Sequence, residues 1–150
     1  MTPRHQAREA ALQILYFWEI GGADPGQAIE AFFAEHAPDT PEATRAFASK
    51  IVYGTIASVA DLDARIVQQA HNWRLERLAV VDRLILRMAI WELQHEPETP
   101  AAVVLNEAIE LARAFGTDES VGFVNGVLDG IRKTLEARGL RKDVATPGAQ

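Results

Sequence analysis

Residues 100–133 read PAAVVLNEAIELARAFGTDESVGFVNGVLDGIRK, and their periodicity decides the fold class. Val104, Ala108, Leu111 and Phe115 fall at i, i+4, i+7 and i+11, one face of an α-helix. Val124, Leu128, Ile131 and Leu135 repeat that spacing in a second helix. Between them, Gly116 stands where a helix end favours a residue tolerant of positive φ, and Thr117 or Asp118 is placed to cap the next helix. Gly122, Gly126 and Gly130 lie four apart on one stripe of that second helix. Each costs about 1 kcal/mol against alanine in a helix interior, so the stripe needs a cause. A closely crossing helix is the first expectation. Space cleared for a ligand beside Phe123 and Asn125 is the alternative.

Working outward, residues 79–94 form a helix that is apolar nearly all round, from Val81 through Leu84, Ile85, Met88, Trp91 and Leu93. Such a helix belongs at the centre of a core. Its Arg83 and Arg87, one turn apart, need a shared outlet to solvent or a partner, and Glu92 needs an internal partner. Pro3, Asp24-Pro25 and Thr40-Pro41 are start signals for three earlier helices, and Gly21-Gly22 ends the first. The third runs on through Ile51, Leu62 and Ile66, with a bend expected near residues 58–61. With no useful β-alternation, the expectation is all-α: six to seven helices in two packed subdomains, about 1–73 and 74–139 of a single domain, followed by a flexible tail at 140–150.

The 150 residues carry 15 basic and 21 acidic side chains, and no cysteine. The lack of thiols excludes disulfides, thiolate catalysis and Cys-based zinc sites. No apolar run approaches the ~18 residues of a membrane span, and the N-terminus lacks the apolar core of a secretory signal. A cytoplasmic location follows as an expectation. The four histidines, His5, His36, His71 and His95, lie far apart without metal-ligand spacing, and no Gly-rich phosphate loop follows a strand. Ser49, Ser58 and Ser120 have no nucleophile-elbow context. Glu110 and Arg113 suit a solvated i, i+3 pair. Neither an enzyme nor a cofactor or metal protein is indicated.

The net charge of −6 is unevenly spread. Residues 1–8 hold Arg4 and Arg8 with no acid, and residues 132–142 hold Arg132, Lys133, Arg138, Arg141 and Lys142 against Glu136 alone. Cations at a helix N-terminus oppose its macrodipole, which favours an anionic partner. Unpaired RNA is held by cations along phosphates and by aromatic or amide groups at splayed bases. Arg4, His5 and Arg8 supply the first kind, and Phe123 and Asn125 are candidates for the second. They make one surface only if the fold brings them together.

Ala7-Arg8, Ala11, Gln13 and Leu15-Tyr16 resemble the opening pattern of the bacterial transcription antitermination factor NusB family. Leu86-Arg87-Met88-Ala89 with Glu92-Leu93 is similar to that family's buried helix. Residues 106–112 (NEAIELA), Phe115-Gly116 and residues 123–129 (FVNGVLD) are similar to its most recognisable segment. The resemblance implies an all-α, non-catalytic protein that binds single-stranded boxA RNA together with the ribosomal small-subunit protein NusE. The pair then helps to assemble an antitermination complex on RNA polymerase at ribosomal RNA operons. Carried to matching positions, it implies an RNA surface of Arg4, His5, Arg8, Tyr16 and Phe123 with Glu119 nearby, and a protein-partner surface of Glu76, Asp82, Arg83 and Arg87.

Two departures shape the expectations. Where the family often has a run of arginines, this chain has Arg4-His5-Gln6, which predicts weaker intrinsic RNA affinity or greater reliance on the partner. A one-residue length change near His71 and Trp73 leaves those positions without an assigned RNA role. Rival readings are a helical homodimer joined along the glycine stripe and an RNA-binding accessory module for rRNA maturation or methylation.

Overall fold

The structure is a computed structural model, and it describes residues 2–143. Seven α-helices and one 3-10 turn make up its regular structure, with no strand among the described residues: α1 (Pro3–Gly21), α2 (Pro25–His36), α3 (Glu42–Ala57), α4 (Val59–Gln69), the turn Leu75–Arg77, α5 (Val80–His95), α6 (Ala101–Phe115) and α7 (Ser120–Ala137). The chain divides into two compact units, the first ending at Ala57 and the second beginning at Ser58.

In the first unit α1 packs on α2 and α3. Thr2 accepts a 3.1 Å hydrogen bond from the His5 N–H and so caps α1, with Pro3 in its first turn. Gly22 ends it in the left-handed region at φ 66°, its N–H bonded to the Trp18 carbonyl. Asp24 caps α2 through the Gln27 N–H at 3.2 Å. Ala7, Ala11, Ile14 and Leu15 of α1 are fully buried with Ala48, Ile51 and Val52 of α3. The small residues let the two backbones approach.

In the second unit α5 is the hub, packed on α4, α6 and α7. Every residue from Leu84 to Leu93 is buried, as its all-round apolarity implies. Glu92 lies in that interior and is not left without a partner. The unit boundary falls at residue 57 rather than near 73 because Ser58 interrupts the long helix within the expected bend. Leu62 and Ile66 of α4 then bury in the second unit, where α4 packs on α5 and α7.

Several local expectations are corrected. Gly116 is extended, at φ −96°, so positive φ does not explain it. A Cβ there would lie 2.5 Å from Ser120 Oγ and 2.8 Å from the Ala112 carbonyl, so close approach does. Neither Thr117 nor Asp118 caps α7. Instead Ser120 Oγ accepts from the Thr117 N–H at 2.9 Å, tying the turn from inside the helix. Phe115 is exposed rather than core.

Residues 140–143 do not continue as a free tail. Arg141 is buried and donates to the carbonyls of Leu93 (2.6 Å) and Thr99, while Asp143 accepts from the Ala101 N–H at 2.8 Å and closes the start of α6. The remainder of the expected tail, 144–150, lies outside the described residues.

Candidate nucleic-acid interface

The first unit offers the start of α1. Arg4 is exposed and its guanidinium lies 3.8 Å from the centroid of the Phe47 ring on α3. Arg8 was expected to project beside it, but only 4% of its surface is exposed and its guanidinium lies 5.6 Å from the same ring. The i, i+4 spacing is right. Ala7 and Ala11 on either side of Arg8 draw that face into the α1–α3 contact, however, and the side chain follows. His5 Nε2 stands 3.1 Å from Glu9 Oε1, so an acid already faces it. Tyr16 is exposed on the same helix, next to exposed Phe17. Of the expected phosphate cations, Arg4 is the one presented to solvent.

In the second unit the glycine stripe is informative because it is mostly not a packing site. A Cβ at Gly122 or Gly126 would meet nothing within 4 Å, which overturns the close-crossing expectation for both. The two glycines line a groove of about 290 Å³ together with Phe123, Trp73, His71 and Gln69. Phe123 and Trp73 meet edge to face, ring centroids 5.9 Å apart, and the indole is 56% exposed. Aromatic pairs favour that arrangement over a face-to-face stack, and it leaves ring faces open. Asn125 is exposed. Gly130 differs: a Cβ there would lie 2.0 Å from Gln69 Nε2, so this glycine seats the Gln69 side chain.

On the other side of the ring pair lies a second hollow, of about 280 Å³, lined by Trp73, Arg77, Asp82, Thr117, Glu119 and Phe123 among others. Glu119 and Glu76 are exposed. Asp82 Oδ1 is buried and has no hydrogen-bond partner among the described residues. The other two expected partner-facing residues are used internally. Arg83 donates to the Leu75 carbonyl at 3.3 Å, holding the 3-10 turn. Arg87 binds both carboxylate oxygens of Asp63, at 2.7 and 2.9 Å, and its side chain is 5% exposed. The expected shared outlet to solvent therefore does not exist for Arg87; it clamps α4 onto α5.

The basic end at 132–142 is also largely matched. Arg132 pairs with Asp129 (2.7 Å) and Glu136 (3.2 Å), and Lys133 with Asp129 (3.0 Å). Hydrogen bonds from Arg132 and Lys133 hold the Asp129 carboxyl below its ordinary range, and the same bond raises Arg132. Trp73 is the functional candidate that sequence reasoning missed. Its ring contact with Phe123 was hidden by the length change around it, and its position in a non-helical connection gave no face to assign. Among the described residues no group of His, Asp and Glu could hold a metal ion, and no helix is long and apolar enough to cross a membrane.

The profile of the NusB family matches residues 5–133, from the start of α1 through most of α7. The chain belongs to the NusB family. The transcription antitermination protein NusB of Sorangium cellulosum is 47% identical over 90% of this chain and 95% of its own length. T. maritima NusB is a structural relative with a TM-score of 0.81 and 34% identity, covering 88% of this chain and 92% of that one. Antitermination factors NusB and NusE in complex with dsRNA supply a further solved structure, with a TM-score of 0.81 and 26% identity over 89% of this chain and 98% of that one. The all-α expectation and the family resemblance both hold.

Proposed function

We propose that this chain is a non-catalytic, cytoplasmic RNA-binding antitermination factor that acts on boxA RNA together with NusE and joins the antitermination complex on RNA polymerase. Family membership supports the class of function, and a relative's assembly with NusE and RNA supports the choice of partners. The observation that carries the RNA contact is the Phe123–Trp73 pair beside two glycines at which an added Cβ would meet nothing within 4 Å among the described residues. Each helix-interior glycine sacrifices about 1 kcal/mol, and here the return is not packing. A groove with an open indole beside a half-buried phenyl ring accepts an unpaired base by stacking, which is worth roughly 1–3 kcal/mol per base.

In this reading Phe123 and Trp73 stack bases and Asn125 offers an amide to a base edge. Arg4 holds phosphate, with Tyr16 and His5 near it on α1. Arg8 acts indirectly, by fixing α1 on α3. Glu76 and Asp82 face NusE. The buried Asp82 oxygen without a donor favours this, because an unsatisfied buried acceptor is costly and a partner's N–H relieves it. Arg83 and Arg87 shape that surface from behind.

A mobility shift with boxA RNA, a scrambled strand and a duplex, each with and without NusE, tests the proposal. Selective retardation of the boxA strand, strengthened by NusE, is the expected result. Equal affinity for the scrambled strand under both conditions would refute it.

A further inference from the structure

We infer that a hollow between α4 and α7, lined by Arg65 and Arg138, is a phosphate-binding pocket. It has a volume of about 350 Å³, and its walls are Arg65, Gln68, Gln69, His71, Thr134 and Arg138, closed by Ile131. No carboxylate lines it, although acids outnumber bases 21 to 15 in the chain. Neither guanidinium has an ionic partner among the described residues. Arg65 meets the neutral Gln94 amide, whose oxygen, with the amide turned to satisfy both groups, accepts from Nε at 2.5 Å and Nη2 at 3.2 Å and leaves Nη1 for a ligand. The Arg138 side chain is exposed and makes no hydrogen bond or ion pair among the described residues. By contrast the nearby cations Arg132 and Lys133 are both paired with acids.

Helix ends explain part of this and leave a remainder. α4 ends at Gln69 and α7 at Ala137, and each C-terminus carries a partial charge of roughly −0.5, which favours nearby cations. Two guanidiniums exceed two such ends by about one unit of positive charge. One phosphodiester oxyanion neutralises that excess. The donor set suits it: guanidinium forks bind phosphate oxygens bidentately, and the Gln68 amide and Thr134 hydroxyl add single donors.

The pocket also has a neighbour. Gln69 and His71 line both this hollow and the Phe123–Trp73 groove, and Gly130 exists where it does to let Gln69 occupy the wall between them. A strand with a base against Phe123 or Trp73 places an adjoining phosphate at that wall. For an RNA phosphodiester as the source, the inference rests on the RNA reading given above; inorganic phosphate is the other source of the same chemistry.

Two titrations of the full chain test it, with Arg138→Gln as the main variant because no internal bond is lost, and Arg65→Gln as the second. In the first, inorganic phosphate is added while the Arg Nε–H and His71 ring signals are followed by NMR. In the second, boxA RNA affinity with NusE present is measured against salt. A drop of about 0.7 in the log–log slope for Arg138→Gln, one phosphate contact on a single strand, supports the pocket with RNA as its ligand. Saturable phosphate shifts in the wild type that vanish in the variants support it with free phosphate as the ligand. Neither response, or an equal slope change from Lys142→Gln outside the pocket, overturns it. If the wild type binds no boxA RNA at all, the RNA reading fails and the phosphate titration alone decides the pocket.

Discussion

The start of α1 and the α7 groove carry similar side chains and use them in opposite ways. At α1 two arginines converge on one phenyl ring, Phe47, and the more buried of them has become part of the α1–α3 core. At α7 a phenyl ring and an indole meet edge to face beside two glycines, Gly122 and Gly126, whose Cβ positions meet nothing within 4 Å among the described residues. Cationic and aromatic groups in the first case are largely consumed by the fold. In the second, unused surface is kept at a cost in helix propensity. Composition alone does not separate a binding surface from a packed one; what distinguishes them is whether the groups are already satisfied.

Substitutions sharpen that contrast. The largest effect belongs to a fully consumed cation. Arg87→Ala leaves Asp63 unpaired between α4 and α5, and breaking such a pair typically costs 3–5 kcal/mol, a large share of the 5–15 kcal/mol that stabilises a domain. Urea denaturation should show that loss, and a change under 1 kcal/mol would mean the pair does not clamp the helices. Next is Phe123→Ala, expected to lose roughly 1–3 kcal/mol of RNA binding while the midpoint of unfolding moves little. The reverse pattern would make the ring a core residue.

Gly126→Ala should raise stability by about 1 kcal/mol, since the new methyl meets nothing. Gly130→Ala should gain less, because Gln69 must move. Equal gains in thermal unfolding would contradict the distinction drawn within the stripe. Arg4→Ala should reduce the salt slope of RNA binding by about 0.7, whereas Arg8→Ala should act mainly on stability.

The smallest effect concerns Asp129. Its carboxyl is held low in the folded state by Arg132 and Lys133, so its contribution is present above the unfolded value and is lost as pH falls through the folded one. Asp129→Asn should flatten only the acid limb of the stability–pH curve, and a change confined to neutral pH would contradict the assignment.

Much of the fold was legible because it depends on local signals. The 3.6-residue periodicity placed α5, α6 and α7, and Pro3, Asp24-Pro25 and Gly22 marked ends where capping chemistry has few solutions. The subdomain boundary was not legible, since α3 and α4 share one continuous apolar pattern and only tertiary contacts assign Leu62 and Ile66 to the second unit. At the candidate site, Phe123 could be picked out because it lies off the Val124–Leu128–Ile131 stripe. Arg8 and Arg87 were misjudged for one reason: charge suggested exposure, while burial was set by small or apolar neighbours and by Asp63, 24 residues away in sequence. Trp73, in an irregular connection, offered no periodicity from which its contact with Phe123 could be read.

Photocrosslinking of boxA RNA carrying 4-thiouridine, with NusE present and adducts mapped by mass spectrometry, tests the account most directly. Adducts on Phe123 or Trp73 are the predicted result. Efficient crosslinking confined to other residues, with none on that ring pair at any substituted position, would contradict it.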